Sequence, residues 1–87
     1  MIRHTTVEVS FRRGFTLKGV DGAIPAGTYR VDIEEEQILG LSFLAYRRLA
    51  TFIRIPMTGR GTGTVQDFLV DAKDLAAAQE RDAAADG

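Results

Sequence analysis

Tyr46, Arg48, Ala50, Phe52 and Arg54 alternate along one stretch of the chain. Read at period two, as in a strand, they share one face. Aromatic rings interleaved with guanidinium groups are the composition of a surface that stacks bases and holds phosphates. Tyr46, Arg48, Phe52 and Arg54 therefore form the candidate binding face. Arg12 or Arg13, and Arg60, are placed to extend it. The plainer use of the same residues is a covered strand wall or a subunit interface, with the rings buried and the arginine stems flanking them. The acidic run Glu34-Glu35-Glu36, which a meander brings close, weighs against nucleic acid as the partner.

The remaining chemistry-bearing groups lead less far. Two of the carboxylates Glu34 to Glu36 share a face in an extended chain, roughly 7 Å apart. That spacing suits the paired acids of hydrolases, although a solvated strand end is the simpler account. Gly59-Arg60-Gly61-Thr62-Gly63 has the composition of a phosphate loop. Such a loop needs a helix after it, and here a strand follows, with no Gly-Lys-Ser or Gly-Lys-Thr. His4 is the only histidine and stands near the N-terminus with no second imidazole or thiolate to complete a metal site. Ser10 and Ser42 have no histidine partner in a fixed element. No catalytic residue, cofactor site or metal ligand is assigned, and an activity as an enzyme is not expected.

The composition bounds the rest. Eighty-seven residues make one domain, which buries only about 60 % of the surface of its unfolded chain. There is no cysteine, hence no disulfide and no thiolate chemistry. Eleven basic residues against 12 acidic ones give a net charge of −1, with no global field for nucleic acid or anionic lipid. The N-terminal residues lack the apolar core of a secretory signal, and the apolar run around Ile38 to Ala45 is too short to span a bilayer. A cytoplasmic protein with no membrane partner is the expectation.

The elements that must position these groups are mostly strands. Val7, Val9 and Phe11 alternate with Thr6, Glu8 and Ser10, which predicts a strand over 5–11. Phe15 to Leu17 reads as a second short strand, after a turn or bulge at Arg12-Arg13-Gly14. Asp21-Gly22 is a turn dipeptide. Pro25 and Gly27 form a tight turn, and Tyr29, Val31 and Ile33 then alternate in a strand over 28–35. Residues 38–50 allow two readings. One is a helix carrying Leu41, Leu44, Ala45 and Leu49. The other is a hairpin turning at Gly40-Leu41-Ser42 into a long strand over 43–55, closed by Pro56. On that strand Leu49, Thr51, Ile53 and Ile55 form the core face. A glycine loop over 58–63 leads to a last strand over 65–70. Asp71 is a helix N-cap, with Asp74 at the capping-box position. The helix runs over 72–81, and residues 82–87 fray.

These elements predict a mainly β domain over residues 1–81, either a small barrel-like sheet or a strongly bent antiparallel sheet, with one C-terminal helix. The pattern Ile24-Pro25-Ala26-Gly27-Thr28-Tyr29-Arg30-Val31, joined to Gly40 through Thr51, resembles a group of small bacterial proteins of unknown function. The resemblance spans Val7 to about Leu75. It implies a free-standing bacterial cytoplasmic domain and carries over no functional residue.

Phe11, Phe15, Leu17, Leu44, Phe52 and Phe68 are more apolar bulk than so short a chain encloses. The expected role is therefore a non-enzymatic binding module that self-associates, as a homodimer, or docks to another protein. A nucleic-acid-binding barrel using Tyr46, Arg48, Phe52 and Arg54 is the second reading. A small-ligand or enzymatic role for Glu34 to Glu36 with Arg30 is the third.

Overall fold

The computed structural model describes residues 1–57 and 64–85. Strands β1 (Ile2–Phe11), β2 (Gly27–Gln37), β3 (Tyr46–Met57) and β4 (Thr64–Val70) form one antiparallel sheet in that order, followed by helix α1 (Ala72–Ala84). The protein is thus mainly β, a bent sheet with one C-terminal helix. The sheet is open: β1 and β4 are its two edges, so the barrel-like alternative is not realised.

Period two sorts the side chains into two faces. Cross-strand rows on the helix side run Val7–Val31–Ile53–Phe68 and Thr5–Ile33–Thr51–Val70. Val31 and Ile53 are 1 % and 0 % exposed and mark the centre of the core. Val9, Phe11, Tyr29 and Ile55 continue it toward one end of the sheet, where the segment 12–26 folds underneath. Phe15 bridges to Ile24 through two backbone hydrogen bonds of 2.9 and 2.7 Å. Its ring stacks on Phe11 at 3.6 Å and meets Tyr29 edge-on at 5.7 Å. The Tyr29 hydroxyl donates to the Pro25 carbonyl at 2.5 Å, which ties the turn to the strand that follows it.

Helix α1 lies across this same end. Asp71 caps it by accepting from the Lys73 amide at 2.7 Å. Leu75 and Ala78 are its buried residues. Asp74, Ala78 and Asp82 stand at i, i+4 and i+8 and so form one stripe. Both carboxylates hold the segment beneath the sheet by its backbone. Asp74 accepts from the Lys18 amide at 2.8 Å, and Asp82 from the Arg12 and Arg13 amides at 3.0 Å each. Asp74 therefore anchors a loop instead of closing a capping box. The helix continues past residue 81 to Ala84, because Asp82, expected to fray, is held in this way.

Other expectations are corrected. Phe15 to Leu17 is not a strand but a single bridge followed by a turn. Of the two readings of residues 38–50 the hairpin is the one that forms, with Gly40 at φ +83 in its loop, but its strand starts at Tyr46 and not at residue 43. Pro56 does not end β3. It pairs with Val65 one residue before the strand stops, where a missing donor costs little. Gly22 of the Asp21-Gly22 turn takes a positive φ of +79, as a turn glycine does. The glycine loop 58–63, with Arg60, lies outside the described residues.

The molecule measures 49 × 36 × 19 Å, with a radius of gyration of 15.1 Å. A globular chain of this length has a radius of ~12 Å. The excess comes from the sheet, since the Met1 end of β1 and the β2–β3 hairpin project beyond the part that the helix covers.

Candidate interaction surface

The long strand proposed as a binding face is broken by a bulge. The β2–β3 register shifts between Glu34 and Glu35, so that Ala50 faces Glu34 and Arg48 faces Glu35. Leu49 is the extra residue, and beyond it the alternation of β3 is reversed. The structure therefore does not bring Tyr46, Arg48, Phe52 and Arg54 together. Phe52 and Arg54 lie on the open side of the sheet. Tyr46 and Arg48 turn to the helix side, opposite Gln37 and Glu35. The same shift removes Leu49 from the core, and it is exposed.

On the open side, Arg54 belongs to a four-strand row, Glu8–Arg30–Arg54–Asp67. The two arginines are direct neighbours, an arrangement that repels unless each is compensated. Asp67 grips Arg54 through two hydrogen bonds of 2.9 and 3.2 Å, and Asp32 accepts from Arg30 Nε at 3.1 Å. The Asp67 carboxyl is held below its ordinary range, chiefly by the hydrogen bond from Arg54. The Asp32 carboxyl is lowered first by the Thr6 hydroxyl, at 2.7 Å, and then by Arg30. Phe52 is half-buried in the next row, between Asp32 and Leu69. Around it is a shallow depression of about 380 Å³ whose rim carries His4, Glu34 and Asp67 as well as Arg30. Among the described residues this is a mosaic of paired charges around one ring, with no cationic track.

The three carboxylates of the acidic run are likewise divided. Glu34 faces His4 at 3.7 Å, Glu35 accepts from Arg3 at 2.6 Å, and Glu36 accepts from Arg47 at 3.0 Å. Each has a basic neighbour on an adjacent strand, and Glu35 points away from the other two. They act as cross-strand pins, not as an acid pair. Among the described residues no three metal-binding side chains converge. Arg3 is the most heavily engaged pin. It bonds Glu35 through both Nε and Nη2, and its guanidinium lies 3.7 Å from the centre of the Tyr46 ring. It thus ties β1 to β3 across β2, a cation–π contact that stiffens the projecting arm. Hydrogen bonding to Glu35 raises the Arg3 pKa above its ordinary value.

The arm ends in the β2–β3 loop, and here the surface changes character. Leu39, Phe43 and Leu44 are 76 %, 66 % and 74 % exposed, and Ile38 and Leu41 are exposed beside them. The loop has a built geometry: the Ile38 amide donates to the Ala45 carbonyl at 2.9 Å, which closes its neck. Immediately behind stand the Arg47–Glu36 and Arg3–Glu35 pairs. Five large apolar side chains are thus held outward on a charged, braced stem. Of these five, Leu44 is the one that the sequence marks as surplus apolar bulk. A helix reading would have folded Leu41, Leu44 and Leu49 onto one buried face, so the cluster is visible only once the hairpin is chosen. Among the described residues, no helix is long and apolar enough to cross a membrane. In comparisons with known proteins, the chain matches no family model, no curated protein and no solved structure.

Proposed function

We propose that the protein is a non-enzymatic interaction module that docks to a protein partner through the β2–β3 loop. The observation that carries this reading is the outward cluster Ile38, Leu39, Leu41, Phe43 and Leu44. Contiguous exposed apolar surface on a small domain marks a contact site. Leu and Phe anchors on a rigid stem lose little conformational freedom on binding, which leaves more of the burial energy for affinity. The acidic and basic residues behind the loop make a polar rim around an apolar centre.

Nucleic acid is the less supported partner. Arg30 and Arg54 are each met by a carboxylate, and Tyr46 and Arg48 face the opposite side from Phe52. An oligonucleotide must displace those acids, so no retention on single-stranded DNA is expected even at low salt. The small-ligand reading of Glu34 to Glu36 is supported no better, since each carboxylate has a basic neighbour.

The test is site-specific photo-cross-linking in the cells that produce the protein. A benzophenone side chain placed at Phe43 is expected to give a discrete protein adduct, and the same group at Thr28, on the open side, is expected to give none. A Phe43→Asp chain carrying the label at Leu39 loses the adduct and keeps its unfolding midpoint, because Phe43 makes no core contact. Adducts spread equally over both positions, or partition of the wild-type chain into phosphatidylcholine vesicles with no protein adduct, would overturn the reading.

A further inference from the structure

We infer that the free edge of β1 pairs with β1 of a second copy, antiparallel and centred on Thr6, to give one continuous eight-stranded sheet. This surface is separate from the β2–β3 loop and does not depend on it.

The backbone decides which groups are free. The Gln37 amide donates to the Met1 carbonyl at 3.0 Å, and the register places Met1 opposite Gln37. That pair is of the hydrogen-bonded type, so the odd residues of β1 spend their N–H and C=O groups on β2. The even residues Ile2, His4, Thr6, Glu8 and Ser10 point theirs outward. Among the described residues no strand lies beyond them. The edge is ten residues long, regular against β2 throughout, and carries neither proline nor lysine. Its charged side chains are Arg3, already engaged with Glu35 of its own chain, and Glu8, and it has none of the proline, lysine or bulge that usually blunt an edge.

Symmetry and side chains then select the register. A two-fold axis normal to the sheet relates antiparallel strands and keeps faces together, so only residues of like parity oppose each other. Centred on Thr6, each of the five outward-facing residues meets another, Ile2 with Ser10, His4 with Glu8 and Thr6 with itself, for roughly ten inter-strand hydrogen bonds. Centring on Thr5 or Val7 leaves one of the five unmatched, with roughly eight bonds. Only the Thr6 register sets His4 opposite Glu8. His4 turns Nδ1 toward Glu34 at 3.7 Å, which leaves Nε2 for the second copy, and among the described residues Glu8 has no ion pair. On the helix side the same register lays Thr5 over Val7, which is exposed in the single chain. The opposite edge, β4, offers no such match. Asp67 is its one charge, and symmetric registers centred on Gln66, Asp67 or Phe68 set it against Val65, itself or Leu69.

The absence of cysteine makes the register directly readable. A Thr6→Cys chain places one thiol beside the axis, where Cα atoms roughly 5.5 Å apart suit a disulfide. Thr5→Cys and Val7→Cys place theirs roughly 8 Å or more from their own copies, outside disulfide range. The expected result is twice the chain mass by light scattering for the wild type, with oxidative cross-linking of Thr6→Cys and little of the other two. Glu8→Pro removes an outward N–H without touching the β2 ladder. It is expected to give a folded monomer by circular dichroism and light scattering. A monomeric wild type at millimolar concentration, or cross-linking that peaks at Thr5→Cys or Val7→Cys, overturns the inference. So does a dimer that Phe43→Asp dissociates and Glu8→Pro does not, because the copies would then meet through the loop.

Discussion

At the scale of single residues, Thr51 is the one that contradicts its surroundings. It is 3 % exposed, and its hydroxyl is buried with no hydrogen-bond partner among the described residues. An orphaned hydroxyl costs about 1–3 kcal/mol of desolvation that nothing returns. Thr51→Val keeps the shape and β-branching of the side chain and is expected to raise stability by about 1 kcal/mol, read as a shift in urea midpoint at unchanged slope. An unchanged or lowered midpoint would mean that the hydroxyl has a partner in solution. Asp32, which is half-buried, and Asp67, which is exposed, make the opposite case, as acids that are well satisfied. Both carboxyls have folded-state pKa values below the ordinary 3.8. Between the folded and unfolded values the unfolded chain binds more protons, so stability rises with pH there. Their contribution is fully present above about pH 5 and is lost as pH falls through the folded values. The melting temperature is expected to drop from pH 5 toward pH 2, and the drop should be smaller in Asp67→Asn. Equal drops in the two chains would show that the Arg54 pair has no net effect.

At the scale of elements, α1 owes its place to two carboxylates as much as to Leu75. It buries only Leu75 and Ala78, too little apolar surface to hold a helix on a sheet firmly. Asp82 adds hydrogen bonds to two backbone amides of the segment 12–26, and Arg13 returns one from Nη2 to the Ala85 carbonyl at 2.9 Å. Hydrogen bonds to an ionised acceptor are worth about 1.5–3 kcal/mol. Asp82→Ala is therefore expected to lower stability by about 1–3 kcal/mol and to speed amide exchange at Arg12 and Arg13 before the strands. Uniform exchange across the sheet and the segment would deny the anchor its role. Asp74 was legible as an acid at the capping-box position, but the sequence put Asp82 in the fraying tail beyond residue 81, so the stripe Asp74-Ala78-Asp82 was not visible there. Nothing local announces that a loop some seventy residues away presents its amides there. The bulge at Leu49 is hidden for the same kind of reason. An unbroken alternation from Tyr46 to Arg54 looks like one face, and only the register against β2 shows that it is two.

At the scale of the whole molecule, the protein is a covered half and a bare half of one sheet. The helix and the segment 12–26 pack under the end that holds Phe11, Tyr29 and Ile55. The other end is stiffened by ion pairs from strand to strand and finishes in the apolar loop. Arg3 over Tyr46 takes the place that a helix would otherwise fill. In the paired form inferred from β1, the two-fold axis at Thr6 would send the two loops to opposite ends of the eight-stranded sheet. Such a particle would present two docking sites facing apart, suited to bridging two partners rather than gripping one twice.

Several of these features were set by the chain's local order. Alternation placed Val9, Phe11, Tyr29, Val31, Ile53 and Ile55 on a common side, because successive side chains of an extended backbone must point to opposite faces. Asp71 was recognisable as a cap because its side chain answers amides only two residues on. A mainly β class with a C-terminal helix followed from those two facts. Whether the sheet closes, which apolar residues are covered, and whether Tyr46 sits with Phe52 were decided by tertiary structure alone. Each depends on a contact between residues far apart in the chain: register across strands, the reach of one short helix, and a single inserted residue that turns the alternation over. Alternation is a property of the backbone, but coverage is a property of what lies on top of it, and this chain has only enough helix to cover half.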